Sequence, residues 1–226
     1  MHLRSLRPLL TLAVLALPAL AHADGEPAAP AAPPAAPAAP PADPAKDPQV
    51  ARLLEAKKTL RWNQTIGTSK DRYGHAEALV DATAEKVAKT ASDFNHYRDL
   101  HKKFATARII GKEGDQTDVY MRYPVIIGPI KIDMYEVMRF GPAKTTGSTQ
   151  VIEARGVKGD MKRGHTIITI KPVDAKHSLV AVDVLLVPTL PAPQSYVDEE
   201  LRDGACDFVD GLRDKSQATP GPVVAL

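Results

Sequence analysis

Between residues 105 and 188 apolar and polar positions alternate with a period of two, in runs near 105–112, 117–127, 130–140, 149–155, 164–172 and 178–187. Side chains spaced this way point to opposite faces of an extended chain, so each run predicts a strand buried on one side. Turn chemistry such as Gly128-Pro129 and Asp174-Ala175-Lys176 separates the runs, and links this short predict antiparallel neighbours. After Pro188 and Pro191 the period lengthens: Val197, Leu201, Ala205, Phe208 and Leu212 share one face and predict a terminal amphipathic helix of about 20 residues. Ahead of the strands, Asp47-Pro48 combines an N-cap with proline at the first helical position, and Val50, Leu53, Leu54 and Leu60 form an apolar stripe. That predicts a leading helix within residues 48–60. A strand near 73–81, a helix near 84–93 that starts after Thr83, and a second short helix through Leu100 and Phe104 complete the pattern.

One hairpin register satisfies both faces of the sheet. Folding about Gly128-Pro129 sets Val125 against Ile132, Tyr123 against Met134, Met121 against Glu136 and Val119 against Met138, a nearly continuous apolar face. The opposite face then sets Asp118 against Arg139 and Arg122 against Tyr135, a charge pair and a cation–aromatic pair suited to a wet surface. A slip of one residue would spoil both. The same parity places Ile152, Ala154, Ile168, Ile170, Val180, Val182, Val184 and Leu186 on the inner face. That face needs a cover, and the terminal helix carries the matching stripe. The expected class is α+β, a curved antiparallel sheet wrapped around a long C-terminal helix, with two short helices after the first strand.

The N-terminus changes the picture of where such a domain works. Arg4 and Arg7 precede an apolar run from Leu9 to Leu20 and then Ala21-His22-Ala23, the order of a signal peptide over residues 1–23 with cleavage near Ala23. The run is too short to span a bilayer. Export, to the periplasm, is the expectation. Residues 24–47 are dominated by Ala and Pro and predict an extended linker, either a tether or a solvated leader. A folded domain over 61–216 and a tail over 217–226 follow. The net charge of +2 comes from 29 basic and 27 acidic residues, and losing Arg4 and Arg7 balances it, which removes the case for nucleic acid as a partner. No cofactor or metal motif is present, and the single Cys206 excludes an internal disulfide.

Three stretches, taken in order, resemble the START-like superfamily, also called the helix-grip or polyketide cyclase-like fold. Val80-Asp81-Ala82-Thr83-Ala84-Glu85-Lys86-Val87 is similar to its strand-to-helix transition, and Asp93-Phe94-Asn95-His96-Tyr97 to its Asp-aromatic-x-x-Tyr turn. Leu190-Pro191, before a helix ending Gly211-Leu212-Arg213, is similar to its closing segment. The resemblance spans roughly residues 66–216. It implies a cavity between sheet and terminal helix for an apolar small molecule or lipid, such as a sterol, quinone or polyketide, and allows transient contact with a membrane surface.

On that implication the candidate ligand-binding residues are Met121, Tyr123, Met134, Glu136, Met138, Ile152, Ile168, Val182 and Val184 from the sheet. Val197, Leu201 and Phe208 come from the helix. Glu136 is the one carboxylate on the hairpin's apolar face. It reads either as a polar anchor or general acid, or as an acid near the open end of the cavity, solvated or paired with Arg108 or Arg155. Met121, Met134 and Met138 suit an adaptable lining and suit an ordinary core equally. His96, His101, His165 and His177 are expected at the surface or the cavity gate, and Cys206 as a small buried hydrophobe. A carrier is the leading expectation. A cyclase or dehydratase acting through Glu136, and a non-enzymatic interaction domain with a filled core, remain the alternatives.

Overall fold

The computed structural model describes residues 47–127 and 129–218. The expected signal peptide, nearly all of the Ala/Pro linker and residues 219–226 of the expected tail lie outside the described residues. Helix α1 (Pro48–Ala56) begins as its cap predicts, with the Asp47 side chain accepting from the Gln49 N–H at 2.9 Å. It ends sooner than the apolar stripe suggests, at Lys57, which takes a left-handed conformation. Leu60 therefore does not belong to this helix. It opens β1 (Leu60–Thr65), an edge strand of mostly polar residues that alternation alone does not reveal.

Strand β2 (Arg72–Val80) follows, then α2 (Ala84–Ala91), whose Thr83 hydroxyl accepts from the Lys86 N–H at 3.2 Å. The second expected helix is a kinked 3-10 helix over Phe94–Leu100 that stops short of Phe104. The remaining strands are β3 (Thr106–Glu113), β4 (Gln116–Ile127), β5 (Ile130–Phe140), β6 (Lys144–Thr146), β7 (Thr149–Gly159), β8 (Met161–Pro172) and β9 (Ser178–Pro188). Three-residue β6 leaves no trace in the alternation pattern, because all of its residues are exposed and none is apolar. The antiparallel sheet runs β1-β2-β9-β8-β7-β5-β4-β3, with β6 attached to β7.

The hairpin register is the predicted one. Val125 faces Ile132, Tyr123 faces Met134, Met121 faces Glu136, and Asp118 faces Arg139. Arg139 grips Asp118 through two hydrogen bonds of 2.7 and 3.0 Å on the wet side. Arg122 does sit opposite Tyr135, but the Tyr135 ring stacks on Tyr120, and the guanidinium lying over an aromatic face is Arg108 on Tyr120.

Helix α3 (Gln194–Gln217) covers the inner face. Its second half places Ala205, Val209 and Leu212 in the main core with Ala76, Ala78, Val80, Ile168, Ile170, Val180 and Val182. Backbone closeness at two glycines sets the helix position. A Cβ on Gly74 would lie 2.1 Å from the Leu201 carbonyl carbon, and one on Gly211 would lie 2.1 Å from the Leu100 carbonyl oxygen.

The outer face is not wet throughout. Val50 and Leu53 of α1 pack on Leu179 and Ala181 beside Leu60 and Leu79. A polar cluster adjoins them, in which buried Glu77 accepts from Gln49 and Arg52, and His75 Nδ1 meets Asp183 at 2.7 Å. Burial opposes charge on His75, but Asp183 and Glu77 outweigh it and raise the imidazole to about 9. Trp62 stacks on His75 with Arg52 over its ring, so the lone tryptophan joins the leading segment to the sheet.

Gly74→Ala forces a methyl group into the α3 backbone. The expected cost is about 2 kcal/mol or more, seen as a thermal midpoint lowered by several degrees in calorimetry.

Candidate functional site

α3 lies against β2, but over β4 and β5 the helix and the sheet separate. The space between them is a cavity of about 170 Å³, walled by β4 and β5 on one side and by Val197, Leu201 and Phe208 of α3 on the other. The ends of β8 and β9 and the loop after Pro188 also line it, as do Tyr97 of the 3-10 helix and His101 and Phe104 just after it. Each wall follows from local sequence. The even register of β4 and β5 points Met121, Tyr123, Met134 and Met138 inward, and the three-to-four spacing on α3 points its stripe back at them. Tyr196 ties α3 to β4, its hydroxyl donating to the Ile126 carbonyl at 2.6 Å.

Glu136 enters this wall as its one deeply buried carboxylate, with 2 % of its surface exposed. Neither expected cation reaches it: Arg155 pairs with Glu153 at 2.7 Å, and Arg108 lies over Tyr120. Its Oε2 has no hydrogen-bond partner, and the same is true of the buried Tyr123 hydroxyl. Two glycines make room for the acid. A Cβ on Gly156 would come within 2.2 Å of Glu136 Oε1, and one on Gly164 within 2.0 Å. Burial, assisted by the Asp160 carboxylate, raises the Glu136 carboxyl to about 7. Burial likewise raises the Tyr123 phenol, with Glu136 and Asp160 adding to the effect.

The charged groups elsewhere on the wall are already paired. Lys103 holds Glu200 at 2.8 Å. His101 Nδ1 accepts from the Lys103 N–H at 3.1 Å, and burial pushes the imidazole down to about 4, so it stays neutral with its proton on Nε2. Among the described residues no cluster of three or more His, Cys, Asp or Glu side chains could hold a metal ion.

Of the twelve residues expected to line a ligand site, nine do border the cavity: Met121, Tyr123, Met134, Glu136, Met138, Val184, Val197, Leu201 and Phe208. Ile152, Ile168 and Val182 do not. They share the inner face, but they sit in the packed cluster with Val87, Ala91, Val209 and Leu212, where helix and sheet are in contact. Periodicity assigns a face and is silent on where along that face the helix lifts away. His101 and Phe104, from the loop that follows the 3-10 helix, are the main additions, stacked on each other with ring centroids 4.6 Å apart. His96, His165 and His177 instead pair with carboxylates away from the cavity, and Cys206 is half-buried beside Asp210.

The raised carboxyl has a stability consequence. The unfolded chain ionises Glu136 near 4.5 and the folded chain near 7, so the folded state holds the proton longer and loses stability as pH rises between those values. Glu136→Gln removes that loss. Its advantage over the wild type should grow from about pH 4.5 to about pH 7 and level off at no more than roughly 3 kcal/mol, in thermal melts across that range.

No protein-family profile matches the chain, and no curated protein matches it in sequence. Solved structures do match in shape. A STAR-related lipid transfer protein from Xanthomonas axonopodis superposes with a TM-score of 0.59 at 16% identity, over 72% of this chain and 95% of that one. A START superfamily protein from Mycobacterium smegmatis gives 0.53 at 17% identity, over 63% and 95%. The Zhui aromatase/cyclase from a Streptomyces species gives 0.53 at 12% identity, over 69% and 99%. With the nine-stranded sheet gripping α3, these likenesses establish that the chain has the helix-grip fold of the START-like superfamily.

Proposed function

We propose that this protein is a carrier or binding protein that holds an apolar small molecule between the sheet and the first half of α3, working outside the cytoplasm after export. The cavity itself carries the reading. It is walled by thioether, aliphatic and aromatic groups with few polar atoms, the composition of a site that selects by shape and adapts to its guest. A dry apolar cavity of about 150 Å³ in another protein accepts benzene, so this one suits a single ring or a short branched chain without further opening. Similarity in fold to a protein described as lipid transfer supports the same class of guest. Export rests on the sequence of residues 1–23.

Glu136 faces the cavity, which keeps acid–base chemistry of the cyclase kind as the second reading. Its lack of an oriented polar partner among the described residues favours binding, because a general acid works best when a second group fixes its geometry.

Met134→Trp fills the cavity from β5. Titration with α-methylstyrene followed by ligand-observed NMR should show at least about tenfold weaker binding than the wild type, with an unchanged or raised thermal midpoint. A wild type that binds no α-methylstyrene would sink the reading. For export, sequencing the N-terminus of protein released from the periplasm should find Asp24 first; an intact Met1 there would contradict it.

A further inference from the structure

Two residues that line the cavity each keep a polar atom without a partner. Glu136 Oε2 and the Tyr123 hydroxyl are both shut off from solvent and both without a partner, on adjacent strands of one hairpin. Register makes them diagonal neighbours on the inner face, since Glu136 faces Met121 while Tyr123 faces Met134. Diagonal neighbours lie about 7–8 Å apart, within reach of long and aromatic side chains, and the Glu136 charge acts on the Tyr123 phenol. A buried polar atom with nothing to bond costs free energy, and that cost falls when a bound molecule supplies the missing partner.

The sequence keeps space for the acid at the expense of two residues. Any side chain at Gly156 on β7 or Gly164 on β8 would collide with Glu136 Oε1. The carboxyl is thereby seated with one oxygen in the glycine niche and the other left over. An accidental core carboxylate would be expected to find a cation, and this one has none, with its Oε2 closed to solvent as well.

Building on the cavity reading above, we infer that Glu136 and Tyr123 form a paired hydrogen-bond donor site for a neutral ligand whose polar end is a carbonyl-type acceptor oxygen. The carboxylic acid donates its O–H, the phenol donates a second, and the apolar body of the ligand lies against Met121, Met134 and Met138. The charges around the pair agree with a neutral guest. Asp160, from the turn between β7 and β8, adds negative charge, and Thr166 on β8 adds none. Across the cavity His101 is neutral and Lys103 is bound to Glu200. Among the described residues lining the cavity no cation is left to receive an anionic head group. Burial holds the carboxyl protonated well above its ordinary range, so it remains a donor into near-neutral conditions.

The test uses the full chain and four one-ring probes: acetophenone, its hydrocarbon analogue α-methylstyrene, benzoate and benzylamine. The quantity read is the ratio of ketone to hydrocarbon dissociation constants, so that general hydrophobicity cancels. At about pH 5.5 this ratio should turn against the ketone by roughly five- to tenfold in Glu136→Leu relative to the wild type, while Glu136→Gln, which still donates, keeps it. Tyr123→Phe should move the ratio the same way by a smaller factor. Raising the pH to about 8.5, where the acid ionises, should shift the wild-type ratio toward the Leu value and leave the Gln variant unmoved. Benzoate should bind more weakly than acetophenone at both values.

An unchanged ratio in both Glu136→Leu and Tyr123→Phe overturns the donor site while leaving the apolar cavity intact. Benzylamine that binds the wild type more tightly than acetophenone at high pH overturns it too, because Glu136 would then act as a counter-ion. Failure of every probe in every variant falls on the cavity reading instead. Should Glu136→Leu not fold, the wild-type pH profile set against Glu136→Gln decides the same question.

Discussion

The backbone of α3 lies against β2 because residue 74 has no side chain: at Leu201 helix and strand approach to a distance that a Cβ would make impossible. A second such approach, between Gly211 and the Leu100 carbonyl, pins the other half of the helix to the 3-10 segment. Between them these contacts fix a rod whose second half is sunk into the core and whose first half stands over β4 and β5. Close packing fills the space under the second half with Ile168, Val180, Val182 and their neighbours. Under the first half the lining side chains do not meet, and the cavity is what remains.

That cavity houses a side chain that is costly to bury. An apolar residue at position 136 would complete the hairpin's inner face without penalty, whereas a carboxylic acid there must either stay protonated or be paired. The fold does not pair it. Gly156 and Gly164 give it room, Asp160 discourages its ionisation, and Tyr123 stands by with an equally unemployed hydroxyl. Features that lower stability and are accommodated by their surroundings mark a place where something other than folding is served.

The outer face solves the same problem in the opposite way. Glu77 and Asp183 are buried carboxylates as well, but each has partners: Gln49 and Arg52 reach Glu77 from α1, and His75 and Gln64 meet Asp183. The bonds to Glu77 hold the leading helix on the strands. The buried carboxylates of the outer face thus differ from Glu136 in being paired, although His75 Nε2 beside them also lacks a hydrogen-bond partner.

How much of this was legible beforehand follows from the range of each interaction. Strand parity and the β4–β5 register were readable because alternation has a period of two and both faces of the hairpin had to make sense together, which placed Glu136 on the inner face beside Met134 and Met138. Edge strand β1 and short β6 were not, since pairing with β2 and β7, rather than their own apolar content, makes them strands. Ile152, Ile168 and Val182 show the limit most clearly: their face was right and their role was not, because the gap between helix and sheet depends on backbone approaches at Gly74 and Gly211 between segments far apart in the chain. Sequence by itself determined which side chains face inward, through local periodicity. Only the tertiary structure decided which of them meet another side chain and which meet empty space, because that distance is set by where two distant glycines let the helix come to rest.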